Sequence, residues 1–242
     1  MDVSWEELGW ERLGHGVGRR RLPVWDATAL LVVGPDAVLL CDTGSSLREG
    51  AGLRVQAQSL LGRRVTHIAL SHPHFDHVLG TAAFAEARVY GAAGTAELLR
   101  HGADELYADA VRHGLPEPDA AESADVLVAP RHEVHGERTL DLGGGRKVLL
   151  VNLGRAHSGH DLAVLVPGSP GSPAIVFCGD LVEESGEPQA GPDAHPTRWP
   201  CALDRLLALG GEDALYVPGH GAVVDAGFVR AQRDRLAGLP TA

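Results

Sequence analysis

The sequence predicts an α/β protein built in layers, with more than one β-sheet. Short apolar, β-branched runs bounded by Gly, Pro and Asp recur along the 242 residues, as strands do. The first two runs flank a hairpin turn. Later ones alternate with segments of helical periodicity, so hairpins and strand-helix units coexist. No Ser/Gly-rich or charge-blocked linker divides the chain, which therefore reads as one domain over 1–242, long enough to bury a sizeable core.

Taken in order, TALLVV (28–33) and AVLLC (37–41) are strands joined through Gly34-Pro35-Asp36, a hairpin signal. Apolar residues at helical spacing predict a helix over 47–61, followed by the strand VTHIAL (65–70) and helices over 78–86 and 95–113. GLPEPDAAESAD (114–125) is rich in Pro, Gly and acid and is expected to be a loop. Strands follow at KVLLV (147–151), LAVLV (162–166) and AIVFC (174–178). The long stretch 183–200 then reads as a second loop, long enough to serve as a substrate-facing wall. Leu203, Leu206, Leu207 and Leu209 mark a helix over 201–209, ALYV (214–217) is a last strand, and 228–236 a last helix.

Lysine and arginine number 21 against 32 acids, a formal net charge of −11. That balance argues against nucleic acid or an anionic membrane as a partner. The one basic cluster, Arg19-Arg20-Arg21, reads as a solvated turn. Cys41, Cys178 and Cys201 are far apart and form no CxxC pair, which points to reduced core thiols in a cytoplasmic protein. The N-terminal MDVSWEELGWERLG is acidic and broken by charge, so it reads as neither a signal peptide nor a membrane span. Oligomeric state is left open.

The chemistry concentrates in SHPHFDH, residues 71–77. His72, His74, Asp76 and His77 follow one predicted strand, His157 follows another, and Asp180 and His220 follow two more. Loops leaving one edge of a sheet can bring such residues together. Imidazole and carboxylate donors suit zinc and its first-row neighbours. In an extended or turning segment His72 and His74 can reach one ion while Asp76 and His77 point to a second, and two ions roughly 3.5–4 Å apart activate a shared water. A nucleophilic triad is weakly supported, because there is no GxSxG elbow and neither Cys41 nor Cys178 has a local histidine partner. His160 in HSGHD rivals His157, and Asp161 reads as a turn cap. Asp42 is either a turn residue or a support for the site. Glu183 and Glu184, like His195 and Trp199, are either near the site or simple loop residues. His67 reads as packing within its strand.

SHPHFDH resembles the HxHxDH signature of the metallo-β-lactamase fold superfamily. The downstream order His157, Asp180, His220 resembles its remaining ligands, and Asp42-Thr43-Gly44 resembles its DTG segment. The resemblance spans roughly residues 28–222 and implies a four-layer αββα metallo-β-lactamase sandwich with the site at one edge of the sheets. Carried over by position, it places His72, His74 and His157 on a first ion, Asp76, His77 and His220 on a second, and Asp180 between them, with Asp42 supporting from behind. It further implies two divalent metal ions, zinc (Zn2+) foremost with iron or manganese as alternatives, and a metal-bound hydroxide attacking a carbonyl while Asp76 orients the water or takes its proton.

The superfamily's chemistry is broad, so fold alone does not select the substrate. A bridging aspartate and the lack of an export signal argue against an antibiotic-resistance β-lactamase. The short tail after His220 leaves no room for a glutathione-gripping helical domain or a flavodoxin-like domain, and the negative charge argues against a nuclease. The remaining expectation is a small-molecule substrate: an ester, thioester or lactone. A mononuclear iron dioxygenase of thiol adducts, a β-lactamase-like amide hydrolase and a non-catalytic metal-binding protein are the alternatives.

Overall fold

Two sheets face each other in the computed structural model, which describes residues 4–238. The first contains β1 (Glu11–Gly14), β2 (Val17–Arg21), β3 (Thr28–Val33) and β4 (Val38–Cys41), then, after helix α1 (Leu47–Leu61), β5 (His67–Ala69). Helix α2 (Phe75–Val78) leads to β6 (Arg88–Ala92); α3 (Thr95–His101), α4 (Ala103–Arg112) and α5 (Glu117–Asp125) precede β7 (His132–Val134). The second sheet contains β8 (Glu137–Asp141), β9 (Lys147–Gly154), β10 (Asp161–Val166), β11 (Ile175–Glu183) and, after α6 (Trp199–Gly210), β12 (Leu215–His220), with α7 (Ala226–Ala237) closing the chain. Strand order is β1 through β7 in the first sheet and β12-β11-β10-β9-β8 in the second. Hairpin-linked neighbours run antiparallel, whereas strands joined through helices (β4 with β5, β5 with β6, β11 with β12) run parallel.

The period-two alternation of side chains explains the layering. In β3, Ala29 and Leu31 join one apolar cluster and Leu30 and Val32 another. In β11, Ile175 and Phe177 face the cluster between the sheets, while Val176 and Cys178 face α6 and α7. Three apolar cores separated by two sheets give four layers, helices, sheet, sheet, helices. Each fully buried Leu, such as Leu30 or Leu150, contributes about 1.5–3 kcal/mol of hydrophobic stabilisation.

Several local expectations are corrected. Residues 114–125 are not a loop throughout: α5 occupies Glu117–Asp125. Pro118 sits in the first turn, where a missing N–H costs nothing, and the Ser123 hydroxyl accepts from Leu47 N at 2.9 Å, docking α5 on the start of α1. The helix expected over 78–86 is replaced by α2 and a 3-10 turn at Thr81–Ala83. Between them Gly80 passes so close to α1 that a Cβ there would overlap the Thr43 carbonyl. The helix expected over 95–113 breaks at Gly102 into α3 and α4. Arg19-Arg20-Arg21 is not a turn but part of β2. Arg19 is buried because its guanidinium has partners, Glu11 Oε2 at 2.7 Å and the Gly221 carbonyl at 2.8 Å. Cys41 and Cys178 are free and buried, but Cys201 is exposed rather than a core thiol. No described helix is long and apolar enough to cross a membrane.

Candidate metal centre

Strand ends assemble the site. β5 delivers residues 71–77, β9 delivers His157, β11 ends past Asp180, and His220 is the last residue of β12. The sheets are stitched together here by the Leu162 N–H to the Ser71 carbonyl (2.7 Å) and by a bridge between Ala27 and His220. A Cβ on Gly219 would overlap Asp180 Oδ1, so glycine is what lets the Asp180 carboxylate lie against β12.

All seven sequence-predicted residues converge. His74 Nδ1 lies 3.1 Å from His157 Nε2, and His72, His74, His157 and Asp180 present donor atoms within 4.8 Å of one another. Asp76, His77 and His220 form a second such group. Asp180 lies between them: its carboxylate is 3.6 Å from His72 Nε2 and 3.5 Å from His157 Nε2 on one side, and 3.2 Å from His77 Nε2 and 3.3 Å from His220 Nε2 on the other. Asp76 Oδ2 is 3.4 Å from His77 Nε2 and 3.3 Å from His220 Nε2. His160 is turned away, its Nδ1 on the Ala93 carbonyl at 2.8 Å. Asp161 caps the turn before β10, accepting from the Ser158 and Ala156 N–H groups.

Most of the inward-facing imidazoles are held from behind. His72 Nδ1 meets Ser71 Oγ (2.9 Å), His77 Nδ1 meets Asp42 Oδ2 (2.8 Å), and His220 Nδ1 meets the Trp25 carbonyl (2.6 Å). His74 Nε2 meets Asp193 at 3.2 Å. Such contacts fix ring orientation and leave the opposite nitrogen free for a ligand. The His157 ring packs edge-on to buried Trp199 at 5.3 Å. Trp199 is therefore a buttress under the site rather than a pocket wall. Asp42 supports two elements at once, since it also accepts from Ser71 N and Ser71 Oγ.

Electrostatics couple the groups. Burial alone would raise Asp180 and Asp76, but His77 and His220 outweigh it and hold both carboxyls well below the usual range. Burial opposes protonation of His220, yet Asp180 and Asp76 push it up to about 11, and His77 likewise rises. His157, where burial dominates, falls to about 4.

The donor set fits divalent ions of the zinc type. His72 Nε2, His77 Nε2 and Asp180 Oδ1 are buried without hydrogen-bond partners, a costly arrangement that a cation relieves. Imidazole and carboxylate together, with no thiolate in either group, match first-row metals rather than calcium or magnesium. Glu183, buried on β11, forms a further donor group with Asp180 and His220.

Sequence reasoning missed Asp193, Ser71 and the Trp25 carbonyl. Asp193 had one faint signal, its place in the 183–200 loop, and residues 189–193 do line the cleft of about 830 Å3 that opens onto the cluster.

An αββα sandwich with this His/Asp constellation at its sheet edge defines a class, and comparison with known proteins names it. The metallo-β-lactamase superfamily model matches residues 22–220, so the chain belongs to that superfamily. The metallo-beta-lactamase domain-containing protein 1 of Xenopus laevis is 25% identical over 199 residues, 81% of this chain and 71% of that protein. A metallo-beta-lactamase from Pontibacter korlensis superposes with a TM-score of 0.73 at 19% identity, covering 95% of this chain and 99% of the other. FIM-1 from Pseudomonas aeruginosa, in its mono-zinc form, superposes at 0.68 with 18% identity over 95% and 96% of the two chains. These structural likenesses establish the shared fold. Superfamily membership and the donor clusters together support a metal-dependent hydrolase in general, in a superfamily that also contains members with other activities.

Proposed function

We propose that the chain hydrolyses a small ester, thioester or lactone at two divalent ions, zinc foremost with iron or manganese as alternatives. His72, His74 and His157 would hold one ion, Asp76, His77 and His220 the other, and Asp180 would bridge. The observation that carries this reading is the place of Asp180, within 3.6 Å of four imidazoles drawn from both groups. When bound, such ions polarise a carbonyl and lower the pKa of water.

The chain's own residues do the rest. Asp76, which would stand beside His77 and His220 on the second ion, is the catalytic carboxylate, accepting a hydrogen bond or proton from the attacking water. His74 and Asp180 line the cleft together with Phe75 and Leu106, whose apolar side chains would limit water beside a bound acyl group. A cleft of about 830 Å3 suits a small molecule. Cys41 and Cys178, buried and free, suit a reducing compartment, which supports a cytoplasmic setting.

The test is elemental analysis coupled to a panel of esters, thioesters, lactones and a β-lactam amide. The reading expects about two zinc-like ions per chain and turnover of the first three classes that chelation abolishes. One iron per chain would instead favour a dioxygenase. Failure to turn over any substrate when metal-loaded would favour a non-catalytic metal binder.

A further inference from the structure

The cleft contains almost no positive charge outside the proposed metal ligands. Arg112 is its one lysine or arginine among the described residues, and Arg112 Nη1 is already paired with Asp109 Oδ1 at 2.6 Å. Four carboxylates beyond the proposed ligands also line it: Glu105, Asp109, Glu183 and Asp193. Three are engaged, Asp109 with Arg112, Glu183 with Ser185 and Asp193 with His74. Glu105 is exposed on α4 and has no ion-pair partner among the described residues. His113 also lines the cleft, but its Nδ1 is engaged by the Asp109 carbonyl at 2.9 Å and its ring stacks on Phe75. Apart from Gln189 the rest of the wall is apolar or aromatic: Trp25 stacks edge-on to Phe75 at 5.2 Å, and Leu98 and Leu106 lie along the same cleft.

Resting on the hydrolase reading, we infer that the substrate is an apolar acyl compound without a carboxylate, its chain lying on the Trp25-Phe75-Leu98-Leu106 wall and a cationic or neutral end facing Glu105. A carboxylate on the substrate would find no free guanidinium or ammonium in the cleft and would face Glu105, so like-charge repulsion, screened by solvent, disfavours it there. The whole-chain charge of −11 acts in the same sense, repelling anions on approach and drawing cations in. The apolar wall supplies the binding energy that is independent of charge.

The test uses metal-loaded full-length protein and three esters with the same alkyl acyl chain, ended by trimethylammonium, methyl or carboxylate. The ammonium ester is expected to exceed the carboxylate ester in kcat/KM by about tenfold or more at low salt, shrinking as salt rises. In Glu105→Lys the ratio of the two should move about tenfold toward the carboxylate, as a two-unit change of charge across a solvated cleft requires. The ratio is read within each protein, so a general loss of activity cancels. A parallel binding arm titrates cobalt(II)-loaded protein with long-chain thiols bearing the same three ends, read by the visible absorption of the metal. Equal or better use of the carboxylate-ended compounds, or a ratio unmoved by Glu105→Lys, overturns the inference and leaves the hydrolase reading standing. No turnover of any ester, nor of the thioesters and lactones of the panel, with the thiols still ranked ammonium over carboxylate, overturns the hydrolase reading and leaves the charge preference standing.

Discussion

Replacing Asp42 by Asn disturbs the support behind both halves of the site, His77 directly and His72 through Ser71 Oγ. Asp42 Oδ1 accepts from Ser71 N at 2.7 Å, while Oδ2 accepts from Ser71 Oγ at 2.6 Å and from His77 Nδ1 at 2.8 Å. Asn has one carbonyl oxygen, so it keeps the first contact and turns an NH2 toward the other two. His77 then has no acceptor for an Nδ1 proton. The tautomer protonated at Nε2 becomes the better one, and Nε2 is the atom that faces Asp76 and Asp180. A hydrogen bond to a charged group is worth about 1.5–3 kcal/mol, which at about 1.4 kcal/mol per decade is roughly 10–100-fold in affinity, the range seen for partners behind metal ligands. The backbone itself tolerates the change, because Asp42 has φ 57° and Asn accepts the left-handed region as Asp does. Competition against a chromophoric chelator should show the metal equivalent held by His77 weakened by that factor, and the one held by His72, which feels the change only through Ser71 Oγ, weakened less. Two unaltered affinities in a folded variant would refute the tautomer argument.

Other consequences follow from the same contacts. His157→Ala should lower metal affinity by more than about 100-fold, whereas His160→Ala, whose ring lies on the Ala93 carbonyl, should stay within about threefold; the reverse order would show that the wrong histidine of HSGHD faces the site. Burial raises the Asp161 carboxyl to about 7 despite the hydrogen bonds from Ser158 and Ala156. Since its unfolded value is about 3.9, the folded state holds a proton that the unfolded state releases, and stability falls as pH rises from about 4 to about 7. Asp161→Asn should flatten that part of the Tm against pH curve, and an identical slope in the two proteins would count against the buried-acid account. Trp199→Leu removes the Nε1–H donor to the Leu181 carbonyl (2.9 Å) and part of the packing on His157, and should cost about 2–4 kcal/mol in denaturant unfolding. A loss under about 0.5 kcal/mol would mean the buttress is dispensable.

What could be read from the sequence was what is encoded locally. SHPHFDH places four donors within one strand exit and one helical turn, and the runs before His157, Asp180 and His220 are apolar enough to announce the strands that carry those residues to the sheet edge, although β11 itself runs on past Asp180 to Glu183. The strands invisible to pattern reading are the polar ones. β8 is largely exposed, and β2 hides a buried Arg19 whose burial depends on Glu11 and on the Gly221 carbonyl, a partner 202 positions away. α5 escaped because Pro118 reads as a breaker until its place in a first turn is known. Asp193 and Trp25 act through tertiary geometry, Asp193 by reaching His74 across 119 positions and Trp25 through a backbone carbonyl that any residue would offer. No residue type marks such contacts.

The central claim is that Asp180 joins two groups of donors into one centre for two ions. Metal content per chain, measured after loading with zinc and desalting, tests it most directly when wild type is compared with Asp180→Asn. The account predicts about two ions for wild type and one or fewer for the variant at equal folded fraction. A single ion in wild type, or an Asp180→Asn protein that retains the full wild-type complement, would contradict it.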